Sequence, residues 1–161
     1  MNIRVLTPSD WPMVKAIYEQ GIATENATFQ TEAPSWEEWD KAHLYSCRFV
    51  IEIDHIIRGW AALSPVSSRC VYAGVAEVSI YVSPGYSGKG LGTALLDKLI
   101  TESEAEGFWT LQAGIFPENK ASVHLHKKAG FREVGYREKI GKMKDVWRDT
   151  LLLERRNPKV I

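Results

Sequence analysis

The stretch Ser83-Pro84-Gly85-Tyr86-Ser87-Gly88-Lys89-Gly90-Leu91-Gly92-Thr93 constrains this chain more than any other, because it joins two segments of different periodicity. Before it, Glu77-Val78-Ser79-Ile80-Tyr81-Val82 is β-branched and aromatic, as a strand requires. Behind it Leu91, Leu95, Leu96, Leu99 and Ile100 recur at three- and four-residue intervals, the period of a one-sided helix. The unit is a strand, a turn and a helix. Glycines at 88, 90 and 92 remove Cβ atoms where the backbone enters the helix, so N–H groups not yet spent in helical hydrogen bonds can converge on one anion. Phosphate or pyrophosphate is the natural guest. The spacing G-x-G-x-G is neither a P-loop nor a dinucleotide fingerprint, and on spacing alone the stretch reads equally as an ordinary glycine turn.

The flanks decide between those readings. Ser87-Gly88-Lys89-Gly90-Leu91-Gly92 resembles the pyrophosphate motif Arg/Gln-x-x-Gly-x-Gly/Ala of the GCN5-related N-acetyltransferases, with Ser87 in place of the usual Arg or Gln. A second stretch, Asn119-Lys120-Ala121-Ser122 and then Leu125-His126-Lys127-Lys128-Ala129-Gly130-Phe131, resembles that family's N-x-x-S and L-Y-E-K-x-G-F. Further along the chain, Thr28-Phe29-Gln30-Thr31-Glu32, Arg69-Cys70-Val71-Tyr72 ahead of Glu77, and Trp147-Arg148-Asp149 resemble the phosphinothricin and methionine sulfoximine acetyltransferase subgroup. The resemblance implies acetyl-CoA as cosubstrate and the α-amine of a small amino-acid-like molecule as acceptor. It also implies a homodimer in which a two-fold partner completes the pocket, and the six tryptophans are compatible with such a contact.

Composition excludes several other classes. Twenty basic and twenty acidic side chains cancel, so no broad positive field favours nucleic acid or an anionic membrane. Cys47 and Cys70 fit no metal or redox spacing, which predicts two free thiols, a cytosolic setting and no metal site. The opening Met1-Asn2-Ile3-Arg4-Val5-Leu6 is interrupted too soon by Thr7-Pro8-Ser9-Asp10 to be a signal peptide, and no apolar run approaches the roughly 18 residues of a membrane span.

In chain order, Ile3, Val5 and Leu6 predict a strand, and Thr7-Pro8-Ser9-Asp10 starts a helix that ends at Gly21. Residues 22–34 are a polar loop, too long for an idle connection, read as a wall of the substrate pocket. A capping box at Ser35-Trp36-Glu37-Glu38 opens a helix running to about Cys47. A hairpin follows, Phe49 to Ile53 and Ile56 to Leu63, with a bulge at Gly59. After the polar connection 64–75, the strand from Glu77 and the long helix to Gly107 come the strand Thr110 to Ile115 and the helix Asn119 to Ala129. The last strands are Phe131 to about Glu138 and Val146 to Leu153. The expected fold is one α+β domain over 1–161, a mixed, mainly antiparallel sheet of about seven strands with about four helices.

Each requirement of the chemistry has a candidate. Backbone from Gly88 through Lys89, Gly90, Leu91 and Gly92 to Thr93 would cradle the diphosphate, and Tyr81, Val82 and Ser83 would pair with the pantetheine arm as an added strand. Glu77 is the base. An amino-acid ammonium cannot attack until it loses a proton, and a carboxylate at the strand's mouth can accept that proton directly or through a water; a salt-bridged strand-end glutamate is the bland alternative. His126 stands where the wider family has the tyrosine that protonates the thiolate. Asn119 resembles the residue that bonds the CoA arm, and it can serve equally as a helix N-cap. Lys128 is a candidate partner of the CoA phosphates. Arg69 would pair with a substrate carboxylate, with Tyr72 and Phe29 lining the pocket. The alternatives are acetylation of protein N-termini or polyamines, and a CoA-binding module without turnover.

Overall fold

In the computed structural model, which describes residues 1–161, seven strands form one sheet in the order β1-β2-β3-β4-β5-β7-β6. The strands are β1 (Asn2–Val5), β2 (Phe49–Ile53), β3 (Ile56–Pro65), β4 (Val75–Val82), β5 (Thr110–Ile115), β6 (Arg132–Met143) and β7 (Val146–Arg156). The helices are α1 (Trp11–Ala23), α2 (Trp36–Ala42), α3 (Leu91–Ala105) and α4 (Lys120–Lys128). Every neighbouring pair is antiparallel except β4 with β5. A parallel pair needs a crossover, and α3 supplies it. This is the mainly antiparallel α+β architecture that the sequence predicts.

Alternation along the strands builds a core on each face of the sheet. On β3, Ala61 and Leu63 meet α3, whose Leu91, Leu95, Leu96 and Leu99 are all buried, while Trp60 and Ala62 face Val14 and Ile17 of α1 and Trp39 of α2. Each buried leucine contributes about 1.5–3 kcal/mol, so the row on α3 fixes that helix, and the glycine turn ahead of it, to the sheet. Trp11, Trp36, Trp39 and Trp60 gather on the α1 face with ring centroids 5.6–5.9 Å apart. Four of the six tryptophans therefore build a core, and Trp147 alone is exposed, at 56%.

Several boundaries differ from expectation. Pro8–Asp10 form a 3-10 turn, and α1 begins only at Trp11. The Asp10 carboxylate is taken by Arg4, at 2.8 and 2.9 Å, and by the Thr7 amide at 2.8 Å. Gly21 does not stop α1. It is where the Tyr81 ring lies, and a Cβ there would sit 2.6 Å from Tyr81 Cδ1. Helix α2 ends at Ala42, short of Cys47, because the buried Arg48 guanidinium folds back on it. It donates to the carbonyls of Asp40 (2.8 Å) and His43 (3.0 Å) and pairs with the Asp40 carboxylate. These contacts occupy acceptors that a longer helix would have used. β6 and β7 run on to Met143 and Arg156, the former through a polar, exposed segment with no apolar alternation to announce it. The bulge falls one residue before the expected Gly59: Gly59 pairs with Ile51 and Ile57 with Glu52, leaving Arg58 as the extra residue.

Candidate active site

Strands β4 and β5 are paired only from Val75 to Glu77 and from Thr110 to Gln112. Beyond Glu77, β4 stays with β3 and β5 stays with β7, so the two diverge and leave a wedge. The wedge is a cleft of about 310 Å³, walled by β4, β5, the loop residues Ala27, Thr28 and Phe29, and Asn119, Ser122 and His126 at α4. Glu77 lies at its apex, where pairing ends. Its Oε1 accepts a hydrogen bond from Gln112 Nε2 at 3.3 Å, and across the wedge a Cβ on Gly114 would come within 4.0 Å of that oxygen. The absence of a side chain at 114 keeps the carboxylate open to the cleft.

The divergence leaves one side of β4 without a backbone partner. Backbone groups of successive strand residues point to opposite sides. The Ser83 amide donates to the Arg58 carbonyl at 2.8 Å, and the Tyr81 carbonyl lies 3.0 Å from a Cβ built on Gly59. Residues 81 and 83 thus face β3. Of the expected Tyr81, Val82 and Ser83, only Val82 presents its backbone to the wedge, joined by Ile80, which the sequence reading missed because strand phase is invisible without a partner. The Tyr81 ring instead stacks on Trp60, with centroids 4.8 Å apart, and meets Tyr18 at 4.9 Å.

The glycine turn divides its labour. Gly88 and Gly90 have φ of +75° and +85°, and a Cβ on either would meet nothing within 4 Å. Gly92 lies inside the first turn of α3, where a Cβ would be 3.3 Å from Leu125; this glycine lets α3 and α4 pack closely. The Ala94 amide bonds the Gly90 carbonyl at 3.0 Å, so the helix's own first amides, Leu91 to Thr93, remain unspent, and no acidic side chain occupies that turn. Leu91 itself is buried and offers only its backbone. Ser87 supplies no charge; Arg58 and Lys89 lie over the adjacent Tyr86 ring at 4.6 and 4.9 Å. Open space at two positive-φ glycines, free amides and a free strand edge together fit a diphosphate with an extended amide-bearing arm.

On α4, Asn119 is the N-cap: its Oδ1 accepts the Ser122 amide at 3.3 Å and its Nδ2 donates to the Asn26 carbonyl at 3.2 Å. His126 is buried, and its Nδ1 lies 2.7 Å from the Ser122 carbonyl, a contact that requires the proton on Nδ1. Nε2, buried without a partner, then carries a lone pair. Burial holds this imidazole below its usual pKa, outweighing the Ser122 carbonyl, so the form able to donate from Nε2 is disfavoured near neutrality. Phe29 meets Phe116 edge-on at 4.9 Å in the cleft wall. Lys128 is exposed in the last turn of α4 and makes no ion pair. Arg69 and Tyr72 do not line the cleft. Both are exposed on the β3–β4 connection, with the guanidinium 5.6 Å over the Tyr72 ring, so in a single chain neither reaches the pocket it was expected to line.

The pattern for the acetyltransferase (GNAT) family matches residues 11–131, which take in the wedge, the glycine turn and α4. The chain belongs to that family. Among the relatives of this acetyltransferase, the phosphinothricin N-acetyltransferase of Streptomyces coelicolor is 33% identical over 91% of this chain and 92% of that protein. The L-methionine sulfoximine/L-methionine sulfone acetyltransferase of Salmonella typhimurium is 28% identical over 96% and 93%. A crystal structure of a phosphinothricin acetyltransferase from Sinorhizobium meliloti in complex with acetyl-CoA is 28% identical and superposes with a TM-score of 0.86, covering 96% of this chain and 87% of that one. This acetyltransferase is an acetyl-CoA-dependent N-acetyltransferase. None of its helices is long and apolar enough to cross a membrane.

The buried imidazole has a measurable consequence for stability. His126 and His43 are both held below their ordinary pKa, chiefly by burial. A histidine depressed in the folded state contributes stability that is present above its unfolded pKa, about 6.5, and is lost as pH falls through the folded value. The thermal midpoint should therefore fall between about pH 7 and 5, before the carboxylates titrate, and fall less in His126→Gln, with His43 keeping part of the slope. An unchanged slope in that variant would show that His126 is not held neutral.

Proposed function

We propose that this enzyme transfers acetyl to the α-amine of a small free amino acid or analogue, of the phosphinothricin and methionine sulfoximine kind, with Glu77 as the base. The observation that carries the proposal is the position of Glu77 at the apex of a wedge whose one side is the free backbone edge of β4 and whose other side is the aromatic loop wall at Phe29. The cosubstrate supplies an activated thioester. The chain's part is to hold and to move protons. Amides of Leu91, Gly92 and Thr93 would grip the diphosphate in the space left by Gly88 and Gly90. Ile80 and Val82 would pair with the extended arm, and Asn119 would steady it with the amide hydrogen that Asn26 does not use. Lys128 would add a screened charge at the rim.

Glu77 takes a proton from the acceptor ammonium, directly or through a water; the freed lone pair forms the N–C bond as the C–S bond breaks, and the second proton lost from nitrogen goes to the departing thiolate. His126 serves the departing sulfur only when doubly protonated, so that assistance fades as pH rises above its lowered pKa. Neither cysteine is needed as a nucleophile. Cys47 is buried with its thiol pKa pushed up to about 11, and Cys70 is exposed on the β3–β4 connection; two free thiols suit a reducing compartment such as the cytosol.

The same reading includes a homodimer. Val134, Tyr136, Ile140, Val146 and Trp147 are each 43–59% exposed on β6 and β7, the last two strands of the sheet, apolar side chains that a second copy would cover. Sedimentation should give a dimer for the native chain and a monomer for Trp147→Asp. A monomeric native chain removes this part of the proposal.

The deciding experiment is CoA thiol release over a panel of free amino acids, phosphinic and sulfoximine analogues, polyamines and peptides. Turnover confined to free amino acids and analogues is the expected outcome. Preference for peptides or polyamines would overturn the acceptor assignment, and silence across the panel would leave a CoA-binding module.

A further inference from the structure

The loop that walls the acceptor side has no helix or strand of its own between residues 25 and 35, yet it is tied down from two directions. From β7, Arg148 donates through Nη1 to the Glu25 carbonyl at 2.8 Å and through Nη2 to Asn26 Oδ1 at 2.9 Å, with Glu118 Oε2 at 3.4 Å. The guanidinium lies 4.0 Å over the Phe116 ring, and the side chain is only 13% exposed, so it is stacked in place before it meets the loop. From α4, Asn119 Nδ2 holds the Asn26 carbonyl. Asn26 is therefore gripped by side chain and backbone at once. The next three residues, Ala27, Thr28 and Phe29, face the cleft. On the far side of Phe29 a Cβ on Gly141 would come within 2.8 Å of the ring, so β6 closes against the loop as well.

We propose that Arg148 is a positioning residue for the acceptor: with Asn119 it latches Asn26, and the latch sets where Thr28 and Phe29 stand against the incoming amine. Asn119 makes the latch sensitive to the cosubstrate. Its Oδ1 is spent on the helix cap and one amide hydrogen on Asn26, and the reading above gives the other hydrogen to the CoA arm. One planar amide then joins both ligands' walls. Anything that fixes its plane from the cofactor side steadies the loop, and by reciprocity a steadied loop favours cofactor binding by the same factor, about twofold at most.

This inference rests on the acceptor reading, so its test pairs kinetics with a measurement that needs no turnover. In hydrogen exchange, Arg148→Ala should raise the rates of the amides of residues 26–29 about tenfold, while amides of the β4 core stay unchanged. In kinetics, Arg148→Ala and Asn26→Ala should each raise the amine KM about tenfold and leave that of acetyl-CoA within about twofold, and the double variant should be no worse than either single one. Asn26→Asp keeps the acceptor oxygen and should restore the amine KM. Unchanged exchange at 26–29, fully multiplicative single effects, or an Asn26→Asp variant as impaired as Asn26→Ala would each overturn the latch. If the native enzyme turns over no amine, the acceptor reading fails by itself, and the exchange rates still decide whether the latch exists.

Discussion

Glu77→Gln is expected to reduce thiol release at neutral pH by about 10²–10³-fold, within the range that a positioned base contributes, while acetyl-CoA affinity measured by calorimetry stays the same. The substitution is nearly isosteric, and the new amide oxygen can still accept from Gln112, so the apex of the wedge keeps its shape. The proton-accepting oxygen is all that is lost. The deficit should shrink as the pH approaches the amine's own pKa, because a substrate that arrives deprotonated no longer needs the base. A uniform deficit at every pH would mean that Glu77 acts by holding the acceptor. Full activity at pH 7 would remove it from the mechanism.

The second large effect is expected at the turn. At φ of +85°, Gly90 is in a region that a β-branched residue occupies only under strain, and the space beside it is open. Gly90→Val should cost about 1–2 kcal/mol of stability, which leaves the protein folded, and should weaken acetyl-CoA binding about 10- to 100-fold by filling that space and turning the first amides of α3. The amine KM, measured at saturating cofactor, should not change. Gly92→Ala provides the contrast: its Cβ would meet Leu125, so its effect should appear in thermal stability more than in cofactor affinity. Equal cofactor affinity in native and Gly90→Val protein would show that the diphosphate lies elsewhere.

The elements whose sequence carries its own period were legible. The leucine row of α3, the apolar run of β3 and the residues around the glycine turn announced strand, turn and helix, and the N-cap Asn119 and the helical His126 do share the cleft with Glu77. What stayed hidden depends on partners distant in the chain. The phase of β4 follows from pairing with β3, so the backbone that faces the wedge had to be read from Ser83 and Arg58. The stop of α2 is enforced by Arg48 from outside the helix. Asn26, Gln112 and Gly114 carry no local signal, since a glycine in a strand has many ordinary explanations, and the resemblance at Trp147-Arg148-Asp149 assigned Arg148 no role. Arg69 and Tyr72 were placed by resemblance to the acetyltransferase subgroup, and a single chain leaves them outside the cleft.

The brief pairing of β4 with β5 means that the sheet is two plates sharing a seam three residues long. One plate, β1 to β4, carries the carboxylate and the exposed backbone edge; the other, β5 with β7 and β6, carries the stacked arginine that governs the acceptor loop. Helix α3 rivets them from one face only. Mutations that retune which amine is accepted can therefore accumulate on the second plate while the free edge of β4, on the first, is inherited unchanged.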